Sequence, residues 1–175
     1  MALFSLRRAV PADAPVLAVL AADAFEETFT GTCTEADMEG YLADTYNEGA
    51  FLHLLQDASV FICVAFDAAG TAAGYAQWKT DRPPFEVSGT QAVELQRLYV
   101  LKPYYGTGLA QQLMDAYETQ AVAAGADLLW LGVWEHNLRA QAFYRKRGFS
   151  PTGHSHPFPI GTTPQTDDWW IKPVR

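Results

Sequence analysis

The interval from Ala92 to Val133 limits what this chain can fold into more than any other, because it reads as strand, helix and strand in immediate succession. Ala92 to Leu101 ends in Leu98, Tyr99, Val100 and Leu101, which suit a buried strand, and Pro103 cannot continue a central ladder. Leu109, Leu113, Ala116, Tyr117, Ala121 and Ala124 then mark one face of a helix, with Gly125 as its stop signal. Leu128 to Val133 is almost continuously apolar, as a parallel strand covered on both faces should be. Such a crossover makes its two strands parallel neighbours. Between the first strand and the helix stand Gly106 and Gly108. Without side chains there, backbone N–H groups can approach an anion, and the helix's first turn adds unpaired donors at the positive end of its dipole. Gln111 stands where a dinucleotide fingerprint needs its third glycine, and no Gly-Lys-Ser/Thr follows as in a P-loop. A diphosphate cradle and a plain glycine turn both fit this stretch on its own.

The rest of the chain supplies elements around that unit. Leu3 to Arg8 can form a first strand ended by Pro11, and Asp13 can cap a helix running to about Phe25 through Val16, Leu17, Leu20 and Ala24. Thr34 with Asp37 marks a second helix start, with Met38, Tyr41, Leu42 and Thr45 as its inner stripe, and Phe51 to Leu55 adds a further turn or two. Val60 to Phe66 and Thr71 to Lys79, joined by Asp67-Ala-Ala-Gly70, read as an antiparallel hairpin. Thr80 to Gln91, with Pro83-Pro84 and Ser88-Gly89, reads as a loop. Asn137 can cap a helix from Leu138 to about Arg147, which Gly148 ends. From Phe149 the Pro, Gly, Ser, Thr and His content predicts mostly loop, until Trp169 to Lys172 returns as a strand.

With 175 residues and 49% hydrophobic content, residues 1–175 are expected to form one domain around one core. No apolar run approaches the ~18 residues of a membrane span, and no basic segment precedes a signal-type apolar stretch, so a cytoplasmic protein with no membrane partner is expected. Cys33 and Cys63 lack metal-ligand spacing and read as reduced small hydrophobes, while His154 and His156 read as loop residues; no metal is expected. The net charge of −8 is unevenly spread. Between Ala9 and Trp78 there are eleven carboxylates and no Lys or Arg, whereas six of the twelve basic residues fall between Arg97 and Arg147. An anionic ligand suits the second region and a cationic one the first, although carboxylates also simply solvate a surface. Nucleic acid is a poor partner for a chain without a basic footprint.

Taken together, the interval from about Glu94 to Phe149 resembles the GNAT superfamily of N-acetyltransferases. The family's cofactor motif, Gln/Arg-x-x-Gly-x-Gly/Ala, falls on Tyr105-Gly106-Thr107-Gly108-Leu109-Ala110, and Asn137-x-x-Ala140-x-x-Phe143-Tyr144-x-x-x-Gly148-Phe149 is similar to a second family segment. Tyr105 departs from the motif by removing a polar or cationic side chain from the mouth of the loop; Lys102 is a candidate to supply part of that charge. Glu94 to Val100, Leu131 to Glu135 and the strand holding Asp168 look like the bacterial spermidine/spermine N-acetyltransferase branch. The resemblance implies an α/β (α+β) domain: a mixed, mostly antiparallel central sheet, one parallel βαβ crossover, a V-shaped splay between the two parallel strands, and helices on both faces. Homodimers are common for this fold, and no residue pattern here establishes one.

The implied activity is acetyl transfer from acetyl-CoA, by direct attack in a ternary complex, to a primary amine of a small cationic acceptor such as a polyamine. Acetylation of a protein N-terminus or lysine is the alternative within the enzymes, and a noncatalytic acyl-CoA-binding module the alternative outside them. By resemblance the donor lies along Leu98, Tyr99 and Val100, with its diphosphate on Tyr105, Gly106, Thr107, Gly108, Leu109 and Ala110, and with Asn137 and Tyr144 beside it. A primary amine of reference pKa ~10.4 costs roughly 4 to 5 kcal/mol to deprotonate at pH 7. Glu94, on the strand leading to the donor, is the candidate base, directly or through water oriented by Gln96; Glu135 and His136 are further candidates, and Glu94 also reads as an ordinary strand carboxylate. Tyr144 is the candidate acid for the departing thiolate, and Phe143-Tyr144 also reads as a packed aromatic pair.

Overall fold

The crossover forms with the topology its sequence requires. In the computed structural model, which describes residues 4–87 and 91–174, β4 (Ala92–Val100) passes through a short 3-10 turn at Lys102–Tyr104 into α4 (Leu109–Ala123), and β5 (Leu128–Trp134) returns parallel to β4. Ahead of it come β1 (Ser5–Arg8), α1 (Ala14–Phe29), α2 (Glu35–Thr45), α3 (Glu48–Gln56), β2 (Val60–Phe66) and β3 (Ala72–Thr80). After it come α5 (Leu138–Lys146), β6 (Ser150–Pro157) and β7 (Thr166–Pro173). The seven strands form one sheet in the order β1-β2-β3-β4-β5-β7-β6, antiparallel throughout except at β4/β5. One face is covered by α4 and α5 through Leu113, Met114, Tyr117 and Tyr144. The other is covered by α1, α2 and α3 through Leu17, Phe25, Met38 and Phe51. The mixed sheet with helices on both faces is therefore as the resemblance implies.

The parallel pair is short. Registered partners run only from Ala92↔Leu128 to Leu95↔Leu131. Beyond them β4 stays bonded to β3 as far as Gly74↔Val100, and β5 stays bonded to β7 as far as Trp134↔Asp167. Each strand is held from its outer side while the inner sides part, which is the expected V-shaped splay. A second irregularity lies on β4. Gln77 faces Arg97 but Trp78 faces Leu95, so Gln96 is an extra residue in the β3/β4 ladder. The bulge resets the alternation: Leu95 and Leu98 both pack toward α4, while Glu94, Arg97 and Tyr99 share the opposite side.

Four expectations are corrected. Ser150–Pro157 is a strand rather than loop, and β7 begins at Thr166 rather than Trp169. As an edge strand bonded on one side only, with its register shifting between Pro151 and Ser155, β6 tolerates the Pro, Gly and Ser that mask it in sequence. Asp13 stands at the N-cap of α1 as expected but makes no side-chain cap bond; its carboxylate accepts from Val10 N at 2.8 Å and pairs with both terminal nitrogens of Arg7 at 2.7 Å. Helix α1 runs on to Phe29, one turn past the expected Phe25. Thr34 and Asn137 do cap α2 and α5, accepting from Asp37 N at 3.1 Å and Ala140 N at 3.0 Å. Leu3 and the Ser88-Gly89 part of the loop lie outside the described residues.

Helix α4 is locked onto the parallel strand by Tyr117, whose fully buried hydroxyl donates to Val93 O at 2.8 Å. Tyr117→Phe leaves that carbonyl one partner short in a buried site, and is expected to lower unfolding free energy by ~1 kcal/mol in urea titration.

Candidate active site

The two glycines sit where the chain must enter α4 steeply. Gly106 and Gly108 have φ of +77° and +88°, the left-handed region that β-carbons disfavour, and Gly108 is the N-cap of α4 without a side-chain cap. The first bond back into the helix runs from Gln112 N to Gly108 O, so the N–H groups of Leu109, Ala110 and Gln111 leave the helix end without intrahelical partners. A cavity of about 270 Å³ opens here. Of the residues assigned to the donor from sequence, Leu98, Tyr99, Val100, Tyr105, Gly106, Gly108, Leu109, Ala110, Asn137 and Tyr144 all line it. Thr107 does not; its hydroxyl turns back to Tyr104 O at 2.7 Å. The turn, the open N–H groups and the unpaired edge of β4 together fit an elongated ligand with an anionic group at the helix end.

Tyr105 has a neighbour that sequence did not suggest. The Arg139 guanidinium lies 3.6 Å from the centre of its ring, and both line the cavity. Lys102, by contrast, lines neither of the two cavities in the wedge; its backbone N donates to Glu27 on α1 at 3.0 Å.

A second cavity of about 440 Å³ fills the wedge between β4 and β5 on the α1–α3 side, and Tyr144, Asn137, Ala140, Leu98, Tyr99 and Thr28 line both cavities. Its walls are aromatic, with Phe25 and Phe29 from α1, Tyr41 from α2, Trp134 from β5 and Phe158 between β6 and β7. The acidic character read from the N-terminal half does not reach it: among the described residues, none of the carboxylates from Asp13 to Asp67 lines this space. Helices α1 and α2 turn their aromatic stripes inward and carry their carboxylates elsewhere. The cavity's charges come instead from Glu94 and Arg97 on β4 and Asp167 on β7. Gly132 makes room for the last of these, since a β-carbon there would stand 3.1 Å from both Asp167 Oδ2 and Trp169.

Glu94 belongs to a chain of oriented polar groups. Arg97 Nη1 donates to Gln77 Oε1 at 3.2 Å, Gln77 Nε2 to Gln96 Oε1 at 2.8 Å, and Gln96 Nε2 to Glu94 Oε2 at 3.0 Å. Arg97 can only donate and an ionised Glu94 can only accept, which sets the direction of the chain through the buried Gln77. Burial raises the Glu94 pKa above the usual carboxylate range, against the opposing bond from Gln96. Asp167 was not singled out from sequence. Burial pushes its pKa up to about 6, His156 Nε2 stands 3.9 Å away, and its Oδ1 is buried with no hydrogen bond among the described residues. The ring of His156 stacks on Trp169 at 4.1 Å, and His154 on Phe85 at 5.4 Å. Glu135 and His136, further base candidates, sit 3.8 Å from one another and line neither of these cavities. Tyr144 is buried, and burial followed by the Asp167 charge raises its pKa, so its hydroxyl keeps its proton at neutral pH. The signal for Asp167 was the Asp167-Asp168 pair ahead of Trp169-Trp170, since strand alternation turns one of two adjacent carboxylates inward.

Comparison with known proteins agrees with this geometry. A family model described as the acetyltransferase (GNAT) family matches residues 21–149. An uncharacterized N-acetyltransferase of Lactobacillus delbrueckii subsp. lactis is 31% identical over 156 residues, covering 89% of this chain and 88% of the relative. An L-methionine sulfoximine/L-methionine sulfone acetyltransferase of Pseudomonas aeruginosa is 30% identical over 149 residues, covering 85% and 81%. Among solved structures, the PaiA N-acetyltransferase of Thermoplasma acidophilum in complex with coenzyme A superposes with a TM-score of 0.81 at 20% identity, over 98% of this chain and 99% of that one.

The Asp167 environment is directly measurable. A 13C-edited titration of the side-chain carboxyls should show one aspartate moving near pH 6 that vanishes in Asp167→Asn; a midpoint near the ordinary 3.8 would contradict the buried placement.

Proposed function

Since the chain belongs to the GNAT family of acetyltransferases and is an N-acetyltransferase, we propose that it joins the acetyl group of acetyl-CoA to a primary amine of a small acceptor held in the aromatic cavity. The observation that carries this reading is the meeting of the two cavities at Tyr144, with the anion cradle on one side and two carboxylates on the other. The Leu98–Val100 edge and the open N–H groups of α4 would hold the donor. Bound acetyl-CoA supplies an activated thioester, whose C–S bond breaks as the C–N bond to the acceptor forms.

The residues divide the proton transfers. Of the ammonium's three protons, one remains on the amide, one is matched by the proton that Tyr144 gives to sulfur, and one leaves to solvent through a carboxylate. Asp167 is the better placed carboxylate, because its charge is the one felt at Tyr144 and its pKa lies near neutrality, where a base is most effective. Glu94, held by Gln96, faces the same cavity and supports binding of a cationic group. A polyamine, the acceptor suggested by the sequence, is one amine of this kind. Because its site raises rather than lowers its pKa, Tyr144 assists the departing sulfur without being an absolute requirement.

Thiol release from acetyl-CoA across polyamines, amino acids and peptides tests the transferase reading; release with peptides alone would reject a small acceptor. Tyr144→Phe is expected to lower turnover by roughly 10²-fold with CoA affinity unchanged, and unaltered turnover with the best acceptor would remove Tyr144 from the chemistry. Arg139, stacked on Tyr105, supplies the cation that the motif lacks at that position. Arg139→Gln should weaken CoA binding about tenfold by calorimetry, while Lys102→Gln leaves it unchanged.

A further inference from the structure

We propose that Arg97 is an anion-binding residue of the acceptor cavity, and that the acceptor is an amino carboxylic acid with an apolar side chain rather than a polyamine. The inference rests on the transferase reading above.

Arg97 is brought to the cavity by the bulge at Gln96, which turns it away from the core side of β4. Once there it is poorly matched by the protein. It donates to Gln77, a neutral amide, with the neutral Tyr75 hydroxyl beside it, and it forms no ion pair among the described residues. Its guanidinium carbon lies 4.9 Å from the centre of the Tyr46 ring. The titratable groups that act on its charge are the phenols of Tyr75, Tyr46, Tyr99 and Tyr41, all neutral at neutral pH. A guanidinium carries five N–H donors in a planar fork that matches a carboxylate in two parallel bonds, so most of its capacity faces the cavity unspent. A partly desolvated cation without a counter-ion is costly to hold, and a bound carboxylate relieves that cost.

The opposite charge is placed to match. Asp167 and Glu94 line the same cavity, and the phenols of Tyr41 and Tyr99 lie within the fields of both Arg97 and Asp167. An ammonium near Asp167 and Tyr144 and a carboxylate at Arg97 satisfy both ends of one small molecule. A polyamine would set a cationic chain beside Arg97 and leave its donors unmet. Phe25, Phe29, Trp134 and Phe158 complete the space with apolar surface, which suits the remaining side chain.

The test uses L-methionine, L-phenylalanine, their carboxamides and spermidine with the intact protein, reading thiol release and, separately, binding to the CoA-loaded protein by calorimetry. The free acids should exceed their carboxamides by about 30-fold or more in kcat/KM. Arg97→Gln should remove that preference by raising KM for the acids about 30-fold more than for the carboxamides, leave CoA affinity unchanged, and be partly rescued by Arg97→Lys. Carboxamides or spermidine used as well as the free acids, or a preference that survives Arg97→Gln in a variant with wild-type melting, would overturn the assignment. If no amine releases thiol, calorimetry still decides: binding of the free acids but not the carboxamides sustains the anion site and rejects only the transferase reading, and equal or absent binding rejects the site.

Discussion

The parting of β4 and β5 after Leu95 and Leu131 is the constraint on which the rest of this structure depends. A sheet interior normally leaves no backbone donor or acceptor unpaired, because an orphaned buried group costs about as much as a lost hydrogen bond. Here the two strands are held apart by their outer partners, β3 on one side and β7 on the other, and the inner edge of β4 from Gln96 to Val100 is left open. That opening is tolerable only as a ligand or water site. It also joins the cradle at α4 to the cavity beneath α1 and α2, so that a single wedge lies along both. Splayed strands, glycine turn and second cavity are thus parts of one arrangement, in which the sheet gives up internal pairing where the two cavities open.

The bulge at Gln96 decides what faces the wedge. Simple alternation from Glu94 would turn Arg97 toward the α4 core, placing a cation among Leu113, Met114 and Tyr117. One inserted residue avoids this and leaves Leu95 and Leu98 both packed. It also frees the Gln96 side chain to bridge Gln77 and Glu94, so the residue that breaks the ladder is the one that orients the carboxylate. The chain runs from a cationic end at Arg97 through the buried Gln77 amide and the exposed Gln96 amide to an anionic end at Glu94.

What could be read from sequence follows from the physics of each element. The crossover was legible because a buried parallel strand needs a continuous apolar run, and because a helix entered from a strand at this angle needs left-handed residues at Gly106 and Gly108. The caps at Thr34 and Asn137 were legible for the same local reason. Strand β6 was not: its backbone bonds only to β7, and Ser150, Pro151, Gly153 and His154 are exposed, so no apolar pattern records it. Arg97 was hidden by the bulge, which changes facing without changing composition. The acidic N-terminal half misled in another way. Charge density along a chain says nothing of which side of a helix bears it, and here the inward sides of α1 and α2 hold Phe25, Phe29 and Tyr41. The cavity's own carboxylates arrive from β4 and β7, far apart in sequence.

Tyr105 shows how a departure from a motif is absorbed by the opposite half of the site. The cradle is mostly backbone, and its geometry depends on Gly106, Gly108 and the start of α4, none of which involves the side chain at 105. What a tyrosine removes is a donor at the mouth, and what it offers instead is an aromatic face. Arg139 takes that face at 3.6 Å from the first turn of α5, one strand beyond the cradle. The same turn is capped by Asn137, which lines both cavities, and α5 carries Tyr144 one and a half turns further on. A donor bound across the wedge would therefore bridge α4 and α5, the helices that follow the two parting strands. In the function proposed above, a ligand held by both helices would cover the open edge of the sheet, and Tyr144, which lines both cavities, would stand between donor and acceptor.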